Sequence, residues 1–346
     1  MLDISYADYS WKQAAALLAI DSPTGFTDRA AKWVQSAFSS LGFSAQLTTK
    51  GGVLVDLGGE NEEDGLLLMA HTDTLGGMVA QIKGDGRLKI INVGGLPAAY
   101  GETENVKIYT RSGKTIDGTF QLINASVHVN GNVREAKRDY DSMEVVLDED
   151  VRSAEDTRAL GIEVGDFVCF DPRTRRTDSG YLKSRFLDDK LSVGILIGFA
   201  KYLHDNHIAP KRHVYAHITV YEEVGHGGAC PVPQGVTEGL SLDMGCVGEG
   251  LNCTEHMVSI CPKDALTPYS YAMVGKLIDA AKKVGADYAL DVYPHYSSDV
   301  DVTLKAGYDI RHGLIGPGVY ASHGYERSHM DGVYNTLKLL CGYLNV

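Results

Sequence analysis

An α/β domain interrupted by a separate all-β domain is the fold class this sequence predicts, and three observations lead there. Helix-type apolar spacing alternates with short, strand-type apolar runs up to residue 75 and again from residue 179. Between them, residues 76–178 read as hairpins with no long amphipathic helix. The chain has 346 residues, whereas a single core rarely grows past about 250–300. The expected division is therefore 1–75 with 179–346 as one α/β domain built from both ends of the chain, and 76–178 as an insertion.

Each element can be justified in order. Residues 11–20 and 29–41 place apolar side chains at helical spacing, and Gly42 is a good stop for the second helix. Residues 53–57 and 66–70 are short apolar strands, with the acidic, glycine-rich GGENEEDG between them expected as a tight loop. In the insertion, hairpins are expected around Gly84-Asp85-Gly86 and Ser112-Gly113-Lys114, a short helix in SAEDTRALGI and a strand in GDFVCFDP, together a small barrel or sandwich. Beyond it, Asp188 or Asp189 caps a helix running through Leu203. Strands follow at 213–221 and 239–243, a helix at 268–284, a strand at 309–315 and a closing helix at 331–344.

Composition narrows the function classes. With 44% hydrophobic and 22% charged residues, the chain is balanced like a globular protein, not a disordered or collagen-like one. Lys+Arg 32 against Asp+Glu 45 leaves a formal charge of -13, which repels a phosphate backbone or an anionic membrane surface. Neither nucleic acid nor membrane is an expected partner. The start lacks a basic-then-apolar leader, and the longest nearly uncharged apolar stretch, 191–200, falls far short of the ~20 residues of a spanning helix, so a cytoplasmic protein is expected. Six cysteines without a CxxC pair fit reduced structural thiols, and the grouping of Cys246, Cys253 and Cys261 matches no zinc ribbon.

Four apolar runs lead into residues able to bind a metal: LLLMA into His71-Thr72-Asp73, VYAHITVY into Glu222-Glu223, GLSL into Asp243, and DIRHGLI through Gly316-Pro317-Gly318 to His323. In an open α/β sheet the carboxyl ends of strands line the ligand crevice, so residues far apart in sequence can converge there. Asp188, at a helix start, can face the same crevice. Each has a plainer explanation alone: an N-cap for Asp188-Asp189, a solvated loop for Glu222-Glu223, an ordinary polar pair for His71 and Asp73. Together, at strand ends and a helix start, they point to a metal site.

Two imidazoles and several carboxylates without a thiolate suit Zn²⁺, Co²⁺ or Mn²⁺ rather than copper or an iron–sulfur cluster. The set exceeds what one ion needs. Two ions about 3.5–4 Å apart would use His71, Asp188, Asp243, Glu223 and His323 and leave Glu222 to take a proton from a shared water. Hydrolysis is then the natural reaction. Adjacent glutamates are useful because successive side chains at a strand end diverge, and Asp73 lies on the same face of an extended segment as His71, where it can fix the imidazole tautomer.

These motifs resemble the tetrahedral (TET), or glutamyl/deblocking, aminopeptidases, a family of cytoplasmic dinuclear metallopeptidases. The similarity covers most of the chain: Asp21-Ser22-Pro23-Thr24-Gly25, MAHTDTLG at 69–76, ALGIEVGDFVCFDP at 159–172, SRFLDDKLSVG at 184–194, YEEVGHGGA at 221–229, SLDMG at 241–245, and SSDVD at 297–301 followed by His323. The resemblance implies a mixed-sheet metallopeptidase domain sandwiched by helices, with an inserted PDZ-like all-β barrel for oligomerisation. It also implies dimers assembling into a hollow dodecamer, and removal of N-terminal residues from short peptides. By motif, His71, Asp188 and Asp243 would hold one metal, and Asp188, Glu223 and His323 the other, with Asp188 as the bridge. Glu222 matches the general base and Asp73 the partner of His71. The resemblance selects Asp188 over Asp189, and the spacing to Glu326 favours His323 over His329. His226-Gly227 and Ser297-Ser298-Asp299 depart from the family pattern, so specificity is not carried over.

Rival readings are a related dinuclear amidohydrolase (a carboxypeptidase or N-acyl deacylase), a metal-independent glycosidase from paired carboxylates alone, and a non-catalytic scaffold subunit that kept the fold. Arg311, His295 and Asp299 are weaker candidates for a pocket wall. His213 and His217 read as packed or hydrogen-bonded strand residues, and Tyr293 and Tyr296 as core or interface.

Overall fold

The computed structural model describes residues 2–346. The chain divides into two compact units: Thr74–Pro172 forms one, and the flanking segments, up to Asp73 and from Arg173, form the other. Along the chain, the first segment supplies α1 (Ser5–Leu18), α2 (Asp28–Ser40), β1 (Ser44–Leu47), β2 (Val53–Gly58) and β3 (Asn61–His71). The inserted unit comprises β4 (Gly76–Ile82), β5 (Leu88–Val93), α3 (Ala98–Gly101), β6 (Glu104–Tyr109), β7 (Thr115–Leu122), β8 (Met143–Leu147), α4 (Ala154–Ala159) and β9 (Phe167–Phe170). The last segment supplies β10 (Arg175–Arg176), β11 (Tyr181–Ser184), α5 (Leu187–Asp205), β12 (Arg212–Thr219), β13 (Val236–Leu242), β14 (Gly245–Val247), β15 (Val258–Lys263), α6 (Tyr271–Val284), β16 (Tyr288–Val292), α7 (Asp299–Lys305), β17 (Arg311–Tyr320), β18 (Glu326–His329) and α8 (Met330–Leu344).

The inserted unit is a closed antiparallel barrel in the order β4-β5-β8-β7-β6-β9. Its strands alternate in burial, so Ile116, Phe120 and Leu122 of β7 face inward, and Phe120 meets Phe170 edge to face at 5.6 Å. The hairpins turn at the two expected glycine-containing loops, and Ser153 caps α4 by accepting the Asp156 N–H.

The other unit carries a twelve-stranded mixed sheet, ordered β1-β2-β12-β3-β13-β17-β18-β11-β10, with β14, β15 and β16 attached beside β17. β12, β3, β13 and β17 run parallel, and their register aligns Thr219 with His71 and Ser241 with Met69. The carboxyl ends of three strands therefore lie level. Parallel strands covered on both faces read as continuous apolar runs, and Leu66–Ala70 is completely buried.

α5 is buried on nearly every side and lies directly against α1. Gly194 makes this approach possible: a Cβ there would run into the Ser10 carbonyl and Ala14. Lys190, also buried, donates to the carbonyls of Leu17 (3.2 Å) and Ile20 (2.6 Å) and so closes the C-terminal end of α1.

Two local expectations are corrected. GGENEEDG is not a tight loop: β3 already starts at Asn61, pairing with Arg212 of β12, and its acidic residues are accommodated because Asn61, Glu62 and Glu63 are exposed while Asp64 pairs with Arg212 at 3.1 Å. Neither Asp188 nor Asp189 caps α5 with its side chain. Both lie within the helix span in non-helical conformations (φ/ψ −73/101° and −124/24°). Their carboxylates are turned toward the strand ends, where Asp189 accepts the His71 N–H at 3.2 Å.

Candidate metal centre

β3 ends on His71, β13 stops one residue short of Asp243, and the chain leaving β12 reverses through left-handed Tyr221 (φ 72°) into a single 3-10 turn, Glu222–Val224. The paired glutamates thus sit on a turn rather than at a strand end, yet their side chains still diverge. Glu222 Oε2 is 3.7 Å from His71 Nε2, and Glu223 Oε2 is 3.6 Å from His323 Nε2. His323 occupies the β17–β18 connection with a left-handed backbone (φ 64°).

Asp188 is common to both sides. Its Oδ1 lies 3.2 Å from His71 Nε2 and its Oδ2 3.8 Å from His323 Nε2. One donor atom each from His71, Asp188 and Asp243 falls within 4.8 Å of the others, and the same holds for Asp188, Glu223 and His323. Glu222 belongs to neither group.

The bonding of His71 bears directly on whether a cation fits. Its Nδ1 is 3.0 Å from the Asp73 carbonyl, which can only accept, so this nitrogen carries the proton of a neutral ring and Nε2 presents a lone pair to the oxygens of Asp188 and Glu222. Lone pairs converging in this way require a proton or metal cation between them. Burial opposes a charged His71, but the Asp188 hydrogen bond and the Glu222, Asp243 and Asp73 carboxylates raise its pKa well above the ordinary value. Burial likewise pushes Glu222 and Glu223 well up and Asp243 to about 7. It works against Asp188 as well, but bonding to His71 and the charges of both histidines hold that carboxyl below its usual range. Burying this many carboxylates without counter-ions costs several kcal/mol per charge, so the donor set fits divalent metal.

Two further carboxylates hold the groups in place. Glu326 is buried and accepts the His323 N–H on Oε1 (2.9 Å) and the Asp188 N–H on Oε2 (3.0 Å), tying together residues from opposite sides of the cluster. Asp73 differs from expectation. Its carboxylate is 3.6 Å from His71 Nδ1, farther than its own carbonyl, and it instead accepts the Thr24 hydroxyl (2.7 Å) and the N–H groups of Glu222 (3.2 Å) and Glu223 (3.3 Å). Sequence reasoning gives no role to either Thr24, which lies in the Asp21–Gly25 motif, or Glu326, which it uses only as a spacing marker. Tyr296, read from the sequence as core or interface, places its buried hydroxyl near Asp243.

The departures at 226–227 and 297–299 meet each other. Asp299 accepts the Thr219 hydroxyl, burial raises its carboxyl to about 6, and a Cβ at Gly227 would overlap that carboxylate. Lys50 donates to the carbonyls of His226 (2.6 Å), Gly227 (3.0 Å) and Ala229 (2.8 Å), while the His226 ring stacks on Tyr221 at 5.0 Å. Arg311 does not approach the cluster. It binds Glu238 (3.1 Å) at the amino end of the parallel strands. His329 is held elsewhere, its Nε2 donating to the Ser179 carbonyl at 2.8 Å. All six cysteines are free thiols.

The mixed α/β fold that gathers these groups is shared with solved aminopeptidases. The TET aminopeptidase of Thaumarchaeota archaeon SCGC AB-539-E09 superposes with a TM-score of 0.87 at 18% identity, over 98% of this chain and 96% of that one. PhTET1-12s, a dodecamer in its crystal, gives 0.84 at 21% identity over 99% of both chains. In sequence, "Putative aminopeptidase YhfE" of Bacillus subtilis (strain 168) is 43% identical over 328 residues, 95% of each chain. Residues 51–339 match the M42 glutamyl aminopeptidase family, and the chain belongs to that family. Among the described residues no helix is long and apolar enough to cross a membrane.

Proposed function

We propose that the protein is a metal-dependent aminopeptidase that removes N-terminal residues from short peptides, with His71, Asp188 and Asp243 holding one divalent cation, and Asp188, Glu223 and His323 a second. The observation that carries this reading is the position of Asp188, whose two oxygens face two different imidazoles. Zn²⁺ heads the cations this donor set suits, followed by Co²⁺ and Mn²⁺. When bound, such ions supply Lewis-acid polarisation of the scissile carbonyl and lower the pKa of the attacking water.

The protein's own share falls to Glu222. It stands outside both donor groups, keeps 15% of its side chain open to solvent, and has a raised pKa, so it is suited to take a proton from water and return it to the leaving amine. Asp73 orients it by binding the N–H groups of Glu222 and Glu223. Glu326 keeps Asp188 and His323 in mutual register.

Glu222→Gln should lower kcat on aminoacyl-nitroanilides by about 10²–10⁴-fold while the metal content measured by mass spectrometry is unchanged. Near-normal turnover in this variant, or full activity after exhaustive chelation, would falsify the reading. Preferential cleavage of N-acyl amino acids would move the assignment to a deacylase. The dodecameric state of PhTET1-12s supports a homo-oligomer.

A further inference from the structure

His329 is not left idle by its distance from the candidate centre. It ends β18, facing His256 from the loop before β15 and Asp331 from the first turn of α8. The two imidazole rings stand 4.0 Å apart between centroids. Asp331 Oδ2 lies 2.8 Å from His256 Nδ1 and 3.2 Å from His329 Nδ1, and the three donor atoms fall within 4.8 Å of one another.

We propose that His256, His329 and Asp331 form an additional binding site for a divalent transition-metal ion, separate from the two donor groups that share Asp188. Donor atoms about a tetrahedral Zn²⁺ with bonds of roughly 2.0–2.1 Å are spaced a little over 3 Å apart, so only small side-chain movements are required. The remaining nitrogens both have outer partners compatible with ligation. His329 Nε2–H donates to the Ser179 carbonyl at 2.8 Å, and His256 Nε2 meets the Tyr181 hydroxyl at 3.3 Å. The Ser179 carbonyl, which can only accept, places the His329 proton on Nε2 and leaves its Nδ1 lone pair for a cation, while the Tyr181 hydroxyl can accept a proton from His256 Nε2 once a cation replaces the one that Nδ1 shares with Asp331.

The His256 and Asp331 side chains are 40% and 57% exposed, which leaves room for water to complete the coordination. Arg327, the nearby cation, is already paired with Glu255 at 3.0 Å and stacked over the Tyr181 ring. Two imidazoles and one carboxylate select Zn²⁺, Co²⁺ or Ni²⁺ over Ca²⁺ or Mg²⁺. The competing use of the site is as a helix cap, because the Asp331 N–H points at His329 Nδ1 at 3.0 Å. A bound ion would take that lone pair and leave the N–H to water. It would also join three segments, one of them the strand that carries Glu326.

The test is zinc content per chain of the full-length protein, dialysed against buffered Zn²⁺, for wild type, His256→Ala and Asp331→Asn. The expected result is one zinc fewer per chain in each variant, with aminoacyl-nitroanilide turnover unchanged. Comparing wild type with variant makes the outcome independent of how many ions the candidate catalytic centre holds. Equal zinc content in wild type and His256→Ala overturns the proposal and leaves a cap only. His256 is neither donor nor acceptor in the cap bond between the Asp331 N–H and His329 Nδ1, so that variant decides the matter even if Asp331→Asn folds poorly. Co²⁺ provides a second readout: wild type should show visible absorption bands that His256→Ala lacks, and identical spectra would count against the site.

Discussion

The carboxylate of Glu326 illustrates how much a single buried residue can organise. It fixes the backbone of two proposed ligands contributed by segments more than a hundred residues apart. Outer partners of this kind typically change metal affinity by about 10–100-fold when removed. Glu326→Gln puts an amide N–H₂ against one of two N–H donors, so zinc affinity measured by competition with a chromophoric chelator should fall by about that factor, with the fold intact by circular dichroism. Unchanged affinity would mean that the loop holds His323 without it. The sequence offered Glu326 only as a spacing marker, because a hydrogen bond from a side chain to distant backbone leaves no periodic trace. Asp73 was legible as important for the opposite reason, adjacency to His71, but its carboxylate serves the Glu222-Glu223 turn.

At the level of elements, α5 depends on a glycine that helix propensity alone would disfavour. Replacing Gly194 with Ala should gain about 1 kcal/mol of intrinsic helix propensity, but its Cβ would meet the backbone of α1. Overpacking of this kind costs about 1–3 kcal/mol, so Gly194→Ala should be net destabilising in urea denaturation; a stabilised variant would show that α1 yields easily. Elements with a strong period were legible. α2, α6 and α8 fall within a few residues of their expected spans, and the strands leading to His71 and Asp243 end within one residue of the expected positions. What remained hidden was conformation at single residues: left-handed Tyr221 and His323, and the non-helical Asp188-Asp189 step. Such residues are held by surrounding contacts against their local preferences, which is why sequence pattern alone read them as strand end, loop and cap.

Across the whole molecule, the parallel strands have two chemically distinct ends. Opposite the candidate metal centre, Glu238 of β13 gathers Arg212 of β12, Arg311 of β17, Lys276 of α6 and Tyr343 of α8. Burial disfavours its charge, but the bonds to Arg212, Tyr343 and Lys276 bring its pKa down to about 2, against 4.5 for the free side chain. A carboxyl lowered in this way stabilises the fold fully above pH 4.5, and the contribution fades as pH falls through 2. Allowing for solvent around Lys276 and Arg311, the effect is on the order of 2 kcal/mol. Glu238→Gln should therefore be less stable than wild type at pH 7, and the gap should narrow steadily on acidification in denaturant titrations. A gap independent of pH would mean that the loss is one of packing. This clamp joins five elements by charge, which leaves no periodic trace in the sequence, and required the topology to be seen.

The order in which the strands are threaded has a temporal meaning. β3 arrives in roughly the first fifth of the chain, but it lies between β12 and β13, and the residue proposed to complete the second donor group, His323, follows β17 near the other terminus. A polypeptide still emerging from the ribosome has its first histidine long before its last. On the proposed assignment, the enzyme is inert throughout its own synthesis, and nascent neighbours are safe from it until its final strands are in place.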